Sequence, residues 1–152
     1  MSSLELRVPP PLVALLVGAV MWGLSVAAPL VSAPSYRVSL AILLAAVGVA
    51  FSLSGVLAFR SAKTTTNPLK PQAASSLVVT GIYRFTRNPM YVGVTLLLVA
   101  WAVFLWSGWA LLGPVAFVAY ISRFQIAPEE RALVALFGSE YLAYKARVRP
   151  WL

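Results

Sequence analysis

The sequence predicts an all-α integral membrane protein with four transmembrane helices, and three observations support this prediction. The first is composition: 61% of the 152 residues are hydrophobic and 11% are charged, whereas a soluble domain averages about 45–50% apolar and about 25% charged residues. The second is a set of uncharged runs long enough to cross a bilayer. The third is a strong asymmetry in the placement of cationic residues. We therefore expect a single membrane domain over residues 1–152.

Two uncharged runs extend from Leu12 to Ala33 and from Val38 to Phe59. Each matches the ~20 helical residues that cross the hydrocarbon core of a bilayer. A third run, Tyr91–Ser122, is too long for one crossing, and the sequence Trp106-Ser107-Gly108-Trp109 in its middle predicts a tight turn between two helices. A cleaved signal peptide is the alternative for the first run, which is longer than a signal-peptide core of about 7–15 residues. The predicted crossings are about 12–33, 38–59, 89–106 and 109–127.

The positions of the cationic residues predict the orientation. With four crossings, all of the 12 Lys and Arg residues except Arg37 lie on the side of both termini. Because cytoplasmic loops are enriched in Lys and Arg, we expect both termini in the cytoplasm and the chain in a bacterial inner or plasma membrane. The net charge of +8 is then expected to face anionic lipid headgroups rather than nucleic acid.

The residue inventory excludes several kinds of chemistry. The chain has no Cys and no His, and its four acidic residues are all Glu. Disulfides, the common zinc ligand sets and the Ser/His/Asp triad are therefore excluded, and no metal site is expected. Candidate chemistry rests on polar residues beside the predicted crossings, in the loop 60–90 and the tail 128–152.

Two further patterns concern packing. In the tail, Leu133, Leu136 and Phe137 are predicted to share one face of a short amphipathic helix. Gly138 is predicted to end that helix, and a second short helix follows. A stripe of small residues in the second crossing is interpreted as a helix-packing surface rather than a binding site: Gly48, Ser52 and Gly55.

The first candidate site lies within the segment 80–93, before the third crossing. One interpretation is local: Asn88 caps the helix and Pro89 occupies its first position, with Arg84 and Arg87 as interfacial anchors. The other is functional, since a helix N-terminus offers free N–H groups and a positive dipole end to a carboxylate or phosphate. The two interpretations compete for the same donors.

The second candidate site is Arg123 together with the sequence Pro128-Glu129-Glu130-Arg131. Two acids in the first turn of a helix that begins at a proline stabilise the helix dipole, which is the structural interpretation. Alternatively, adjacent carboxylates on an otherwise cationic surface bind an ammonium group, ribose hydroxyls or another cation.

Taken together, the two clusters resemble the membrane methyltransferase superfamily that contains isoprenylcysteine carboxyl methyltransferase and phospholipid N-methyltransferases. The resemblance covers roughly residues 60–150. It rests on an ordered set of short matches with a hydrophobic hairpin between its halves. These are Leu77-Val78, Gly81-Ile82-Tyr83, Arg87-Asn88-Pro89-Met90-Tyr91-Val92-Gly93, Glu129-Glu130, Leu133, Phe137-Gly138, Tyr141, Tyr144 and Arg147-Val148.

The resemblance implies S-adenosylmethionine as cofactor, bound at the cytosolic membrane face of a helical bundle. Isoprenylcysteine enzymes typically carry Arg-His-Pro where this chain has Arg87-Asn88-Pro89, and Asn can form hydrogen bonds but carries no charge. By their positions in the matching segments, the resemblance implies catalytic roles for Arg123 and Asn88. The implied cofactor-binding residues are Ser75, Leu77, Val78, Tyr83, Arg87, Asn88, Pro89, Tyr91, Glu129 and Glu130.

Two functions of different class follow from the sequence. The preferred one is methyl transfer to a lipophilic or membrane-proximal acceptor that enters from the bilayer, such as a prenylated carboxylate, a lipid amine or a small thiol. The alternative is a small non-enzymatic membrane scaffold or a transporter-like subunit. A transporter is expected to place ionisable residues mid-membrane, and the apolar runs of this chain hold none.

Overall fold

The computed structural model describes residues 5–28, 32–62 and 75–152, and across these ranges the regular structure is helical, without a β-strand. Three stretches are long and apolar enough to cross a membrane: Pro10–Ala27, Arg37–Ser61 and Gly108–Arg147. A shorter apolar helix lies between the second and the third. The chain is therefore a helical membrane protein. Its α-helices are α1 (Pro10–Ala27), α2 (Arg37–Ser61), α3 (Pro89–Leu105), α4 (Leu112–Ile121) and α5 (Ala127–Arg147).

Helices α2 and α3 make close backbone contact along the predicted stripe of small residues. A Cβ atom added to Gly48 would lie 2.8 Å from the carbonyl oxygen of Gly93, and one added to Gly55 would lie 2.8 Å from Cγ of Met90. Since Gly48 meets Gly93 and the later Gly55 meets the earlier Met90, the two helices run antiparallel. The packing interpretation of Gly48, Ser52 and Gly55 is confirmed, with Gly93 as its counterpart on α3.

The predicted turn in the long apolar run is confirmed. Helix α3 ends at Leu105, and Trp106 takes the left-handed conformation with φ 50° and ψ 47°. A single 3₁₀ turn, Gly108–Leu111, then leads into α4. Helix α4 returns antiparallel to α1, because Gly113 at its start packs against Met21 and Val17, while Leu6 at the other end of α1 contacts Phe124.

The helical run that starts with α4 continues past Pro128, where the sequence predicted a boundary between the fourth crossing and the tail. A π-helical turn, Ser122–Ile126, joins α4 to α5 without interruption. Proline has no N–H group to donate, so the carbonyl of Phe124 lacks its usual partner at Pro128. The backbone N–H of Leu6 donates to that carbonyl instead, at 3.1 Å. The helical run thus includes a proline after the π turn, and the carbonyl of Phe124 keeps a hydrogen-bond partner.

Helix α5 is bent at Gly138, where the sequence predicted the end of the first tail helix. Gly138 has φ 52° and ψ −125°, which divides the helix into two segments. Leu133 and Phe137 of the first segment pack into the protein, whereas Leu136 is 44% exposed. The predicted shared face therefore holds for two of the three residues.

Two apolar clusters form the interior of the described residues. The first joins α1, α3 and α4 and includes Met21, Phe117 and Ile121. The second joins the end of α2, the loop before α3 and helix α5, and includes Val78, Tyr83 and Tyr144. Tyr91 belongs to the first cluster and lies within electrostatic reach of Tyr83 in the second, so the first turn of α3 lies next to both. Some of the polar residues that the sequence singled out, Glu129 among them, lie at this junction.

Candidate functional site

Helix α3 begins as predicted, with Asn88 at the N-cap position, but the Asn88 side chain does not cap the helix. Pro89 lies in the first turn, and the N–H of Val92 donates to the carbonyl of Asn88 at 3.0 Å. The Asn88 side chain makes no capping bond to the helix. Its amide Nδ2 donates instead to the carbonyl oxygen of Pro150 at 2.9 Å. The capping interpretation of this side chain is therefore wrong, and Asn88 contacts the C-terminal segment of the chain.

A compact polar group surrounds Glu129, and we call Tyr83, Tyr91, Gln125 and Glu129 the Glu129 site. The Tyr91 hydroxyl donates to Oε1 of Glu129 at 2.7 Å. Nε2 of Gln125 donates to the same oxygen at 2.6 Å. The π turn carries Gln125, which is 2% exposed and lies one turn before Glu129. Two neutral donors thus hold a carboxylate at the junction of α3 and α5.

The electrostatic surroundings of Glu129 are unusual for a surface helix. Burial raises the pKa of its carboxyl group to about 7, and the neighbouring Glu130 adds to the rise, while the bonds from Gln125 and Tyr91 oppose it. Within the described residues, Glu129 forms no ion pair with a Lys or Arg. A carboxylate taken out of water without a cation is costly, so this site is complementary to a positively charged ligand.

Aromatic side chains form one wall beside the Glu129 site. The Tyr144 hydroxyl donates to the backbone carbonyl of Tyr83 at 2.7 Å, and the Tyr83 ring meets Phe59 edge-on with centroids 5.3 Å apart. Burial, with the nearby Tyr144 and Glu129, raises the pKa of the Tyr83 hydroxyl. Tyr83 is therefore neutral at physiological pH, and its hydroxyl lies within electrostatic reach of Glu129. Leu77 and Val78 pack against the same cluster.

Arg87 and Glu130, both predicted to bind cofactor, are bound to each other. Nε of Arg87 donates to Oε1 of Glu130 at 3.0 Å, and Nη2 contacts the same oxygen. Nζ of Lys145 lies 2.6 Å from Oε2 of Glu130. The side chains of Arg87 and Glu130 are only 7% and 14% exposed, so this is a largely buried ion pair.

Arg123, predicted to be catalytic, lies on the protein surface near the N-terminal segment. Its side chain is 61% exposed, and Nη1 is 3.6 Å from Oε1 of Glu5. Arg131 binds the other oxygen of Glu5. Ser75, another predicted site residue, is exposed. Its neighbour Ser76 donates to the carbonyl of Ala62 at 3.1 Å and so ties this segment to the end of α2. The roles of Arg123 and Ser75 stay predictions.

The sequence reasoning missed Gln125, which lies at the centre of the polar group. A signal was available: Gln125 is an uncharged amide that follows a long apolar run, and polar residues buried in membrane segments are often functional. Also missed were the backbone carbonyls of Val148, Arg149 and Pro150, which accept bonds from Arg87 and Asn88. No residue type marks a carbonyl, so no sequence pattern indicates these contacts.

The chain belongs to the phospholipid methyltransferase family, whose model matches residues 36–140. This match confirms the resemblance to the membrane methyltransferase superfamily.

Two known proteins match parts of this chain. The chain is 46% identical over 63 residues to an uncharacterized protein from Haemophilus influenzae, a match that covers 41% of this chain and 100% of that protein. It is 40% identical over 73 residues to methanethiol S-methyltransferase 1 from Bradyrhizobium diazoefficiens. The second match covers 46% of this chain but only 25% of that relative. No solved structure matches the chain.

Proposed function

We propose that this protein transfers a methyl group from S-adenosylmethionine to a lipophilic or membrane-proximal acceptor at the cytosolic face of the membrane. Methyltransferase families typically use this cofactor, and the chain belongs to one of them. The observation that carries the proposal is the Glu129 carboxylate, which is held by Tyr91 and Gln125 and has no cationic partner among the described residues. A cationic cofactor supplies the missing charge.

The donor set of the site fits this cofactor. S-adenosylmethionine carries an ammonium group, a sulfonium centre and a carboxylate. Glu129 suits the ammonium group, and the rings of Tyr83 and Tyr91 suit a neighbouring cation. Arg87 is engaged by Glu130 and by backbone carbonyls. The N–H groups at the start of α3 therefore suit the carboxylate of the cofactor better than Arg87 does. When bound, the cofactor supplies an activated methyl group for in-line displacement.

The residues of the site then act by binding, orienting and excluding water. Positioning two reactants can supply about 7–11 kcal/mol of barrier reduction in favourable cases. Tyr83 stays protonated because burial raises its pKa, so it serves as a hydrogen-bond donor rather than as a base. Gln125 and Tyr91 keep the Glu129 carboxylate in one orientation and favour its charged form.

An apolar groove between α1 and α3 supports a lipophilic acceptor. The groove has a volume of about 850 Å³ and is open on one side. Val94, which lines it, lies three residues after Tyr91 and so on the same face of α3. An aliphatic chain in the groove would point its polar end toward the Glu129 site. The lining residues are Pro11, Ala14, Leu15, Gly18, Ala19, Trp22, Val94, Leu97, Leu98 and Trp101.

A small thiol is the second candidate acceptor. The Bradyrhizobium relative is named for methyl transfer to methanethiol, which needs no groove for a long chain. The two acceptor classes give products of different solubility. A lipid product stays in an organic extract of the membrane, whereas a methylated small thiol is volatile.

The experiment that tests the function uses detergent-purified protein, labelled S-adenosylmethionine and either extracted lipids or a small thiol. We expect labelled product from the wild type. Glu129→Ala should bind S-adenosylhomocysteine about tenfold to hundredfold more weakly, since a charge-assisted hydrogen bond contributes roughly 1.5–3 kcal/mol. Glu140→Ala is the matched control, because Glu140 is an exposed carboxylate on the same helix. Equal affinities of Glu129→Ala and the wild type would refute the assignment.

The proposed topology has four crossings with both termini in the cytoplasm. The 17 residues of α3 extend about 26 Å, close to the ~30 Å hydrocarbon core. Arg37 stacks on Phe104 at the far end of α3, 5.7 Å from the ring centroid, as expected for a lone cation on the opposite side. Reporter fusions at Leu152 and at Ser35 should report opposite sides of the membrane. An external C-terminus would contradict the four-crossing arrangement.

A further inference from the structure

The last residues of the chain follow α5 as an extended segment that lies against the start of α3. Val148 has φ −122° and ψ 133°, which ends the helix. We call Val148–Trp151 the C-terminal strap. The N–H of Arg87 donates to the carbonyl of Arg149 at 2.9 Å. Nδ2 of Asn88 and Oγ1 of Thr86 both donate to the carbonyl of Pro150, at 2.9 and 3.1 Å.

The strap is fixed at both of its ends. At its beginning, Nη1 of Arg87 contacts the carbonyl of Val148 and donates to that of Lys145 at 3.2 Å. At its far end, Nε1 of Trp151 donates to Oγ of Ser122 at 3.2 Å. Ser122 opens the π turn that carries Gln125. The strap therefore connects the two elements that supply Tyr91 and Gln125 to Glu129.

These contacts occupy two of the side chains that the resemblance assigned to the cofactor, Arg87 and Asn88. The Asn88 amide nitrogen and most of the Arg87 guanidinium donate to backbone carbonyls of the chain's own C-terminus or to Glu130. An N–H group engaged in this way is not free for a ligand. The contact requires only an N–H donor at position 88, which either Asn or His provides.

We propose that Asn88 and Arg87 are positioning residues, which set the cofactor affinity of the Glu129 site by holding the C-terminal strap rather than by contacting the cofactor. The strap fixes the start of α3 relative to the π turn, and so fixes Tyr91 relative to Gln125. This inference rests on the proposed function, because cofactor affinity is the property that the strap controls.

The first test changes the donor at position 88. Asn88→Asp places an acceptor against the Pro150 carbonyl and should weaken S-adenosylhomocysteine binding about five- to tenfold, the equivalent of one lost hydrogen bond. Asn88→His keeps an N–H donor and should bind within about twofold of the wild type. Equal binding by Asn88→Asp and Asn88→His would overturn the inference.

The second test separates an action through the strap from direct contact. Trp151→Phe removes the bond to Ser122 at the other end of the strap and lies outside the proposed cofactor contacts. If Asn88 acts through the strap, the double variant Asn88→Ala/Trp151→Phe should bind no more weakly than the weaker single variant. Losses of affinity that multiply would show that Asn88 contacts the ligand directly, and the inference would be wrong.

The third measurement does not depend on the cofactor. The chain contains no Cys, so spin labels can be placed at Arg84→Cys and Leu152→Cys, both exposed positions. Leu152 directly follows the strap, so this pair reports the distance from the end of the strap to the loop before α3. We expect one narrow distance distribution in the wild-type background and in Asn88→His, and a broad one in Asn88→Asp and Trp151→Phe. An unchanged distribution in both weakened variants would overturn the inference.

The outcomes distinguish the two proposals. If the wild type fails to bind S-adenosylhomocysteine, the proposed function is wrong and the inference falls with it. If the wild type binds and the strap is released in Asn88→Asp without loss of affinity, the proposed function stands and the inference alone is wrong.

Discussion

Glu129 and Glu130 are neighbours in the chain, yet they lie in opposite kinds of surroundings. Glu129 accepts hydrogen bonds from the neutral Tyr91 and Gln125 and has no ion pair among the described residues. Glu130 binds two cations, Arg87 and Lys145. Successive residues on an α-helix point about 100° apart, so one carboxylate faces the junction of the two apolar clusters while the other faces the C-terminal strap.

The two surroundings suggest different roles for Glu129 and Glu130, one in ligand binding and one in the stability of the fold. A largely buried carboxylate that already has two cationic partners has little left to offer a ligand. A carboxylate that is held only by neutral donors can still be stabilised by a positively charged ligand. We therefore assign Glu130 to the stability of the fold and Glu129 to the proposed cofactor site. Both assignments are open to test by substitution of one carboxylate at a time.

The largest effect on stability is expected for Glu130→Gln. This change leaves the Arg87 guanidinium, which is only 7% exposed, without its carboxylate, and breaking a buried pair on one side costs about 3–5 kcal/mol. Thermal unfolding in detergent should show a clear fall in Tm. The exposed Glu140→Gln is the control and should leave Tm unchanged.

The same substitution also tests whether the two carboxylates act separately. Glu130→Gln should weaken S-adenosylhomocysteine binding much less than Glu129→Ala does. If Glu130→Gln melts like the wild type but loses as much affinity as Glu129→Ala, the two carboxylates share one site and the division between them is wrong.

The sequence predicted the features that depend on local pattern. The turn at Trp106–Trp109 follows from a Gly and interfacial aromatics inside a run too long for one crossing. The packing of Gly48 and Gly55 against α3 follows from small residues spaced along one helix. The bend at Gly138 follows from a residue without a Cβ. Each of these features is determined within a few residues of where it occurs.

Features that depend on the fold could not be predicted in this way. Glu129 and Glu130 are chemically identical in sequence, and only the direction in which each side chain points decides its partner. The capping interpretation of the Asn88 side chain is wrong because its amide meets the Pro150 carbonyl, 62 positions later in the chain. At the π turn, Pro128 lacks the N–H that the carbonyl of Phe124 would accept and Leu6 donates in its place, and no local rule connects those two positions.

The smallest effect is a pH dependence that should belong to Glu129 alone. Burial raises the pKa of its carboxyl group from 4.5 to about 7. Between these values the native state binds more protons than the unfolded chain, so the contribution of Glu129 to stability falls as the pH rises through this window. The ammonium group of a bound ligand needs the ionised carboxylate, so ligand affinity should rise over the upper part of the same window.

We therefore expect wild-type protein to bind S-adenosylhomocysteine more tightly at about pH 8 than at about pH 6, by up to roughly tenfold per unit below the pKa. Calorimetry across this range measures the dependence directly. Glu129→Gln cannot ionise and should show weak binding with a flat profile, while Glu130→Gln should keep the wild-type slope. If Glu129→Gln retains the wild-type slope, another group titrates. In that case the difference between the two carboxylates does not arise from the charge state of Glu129.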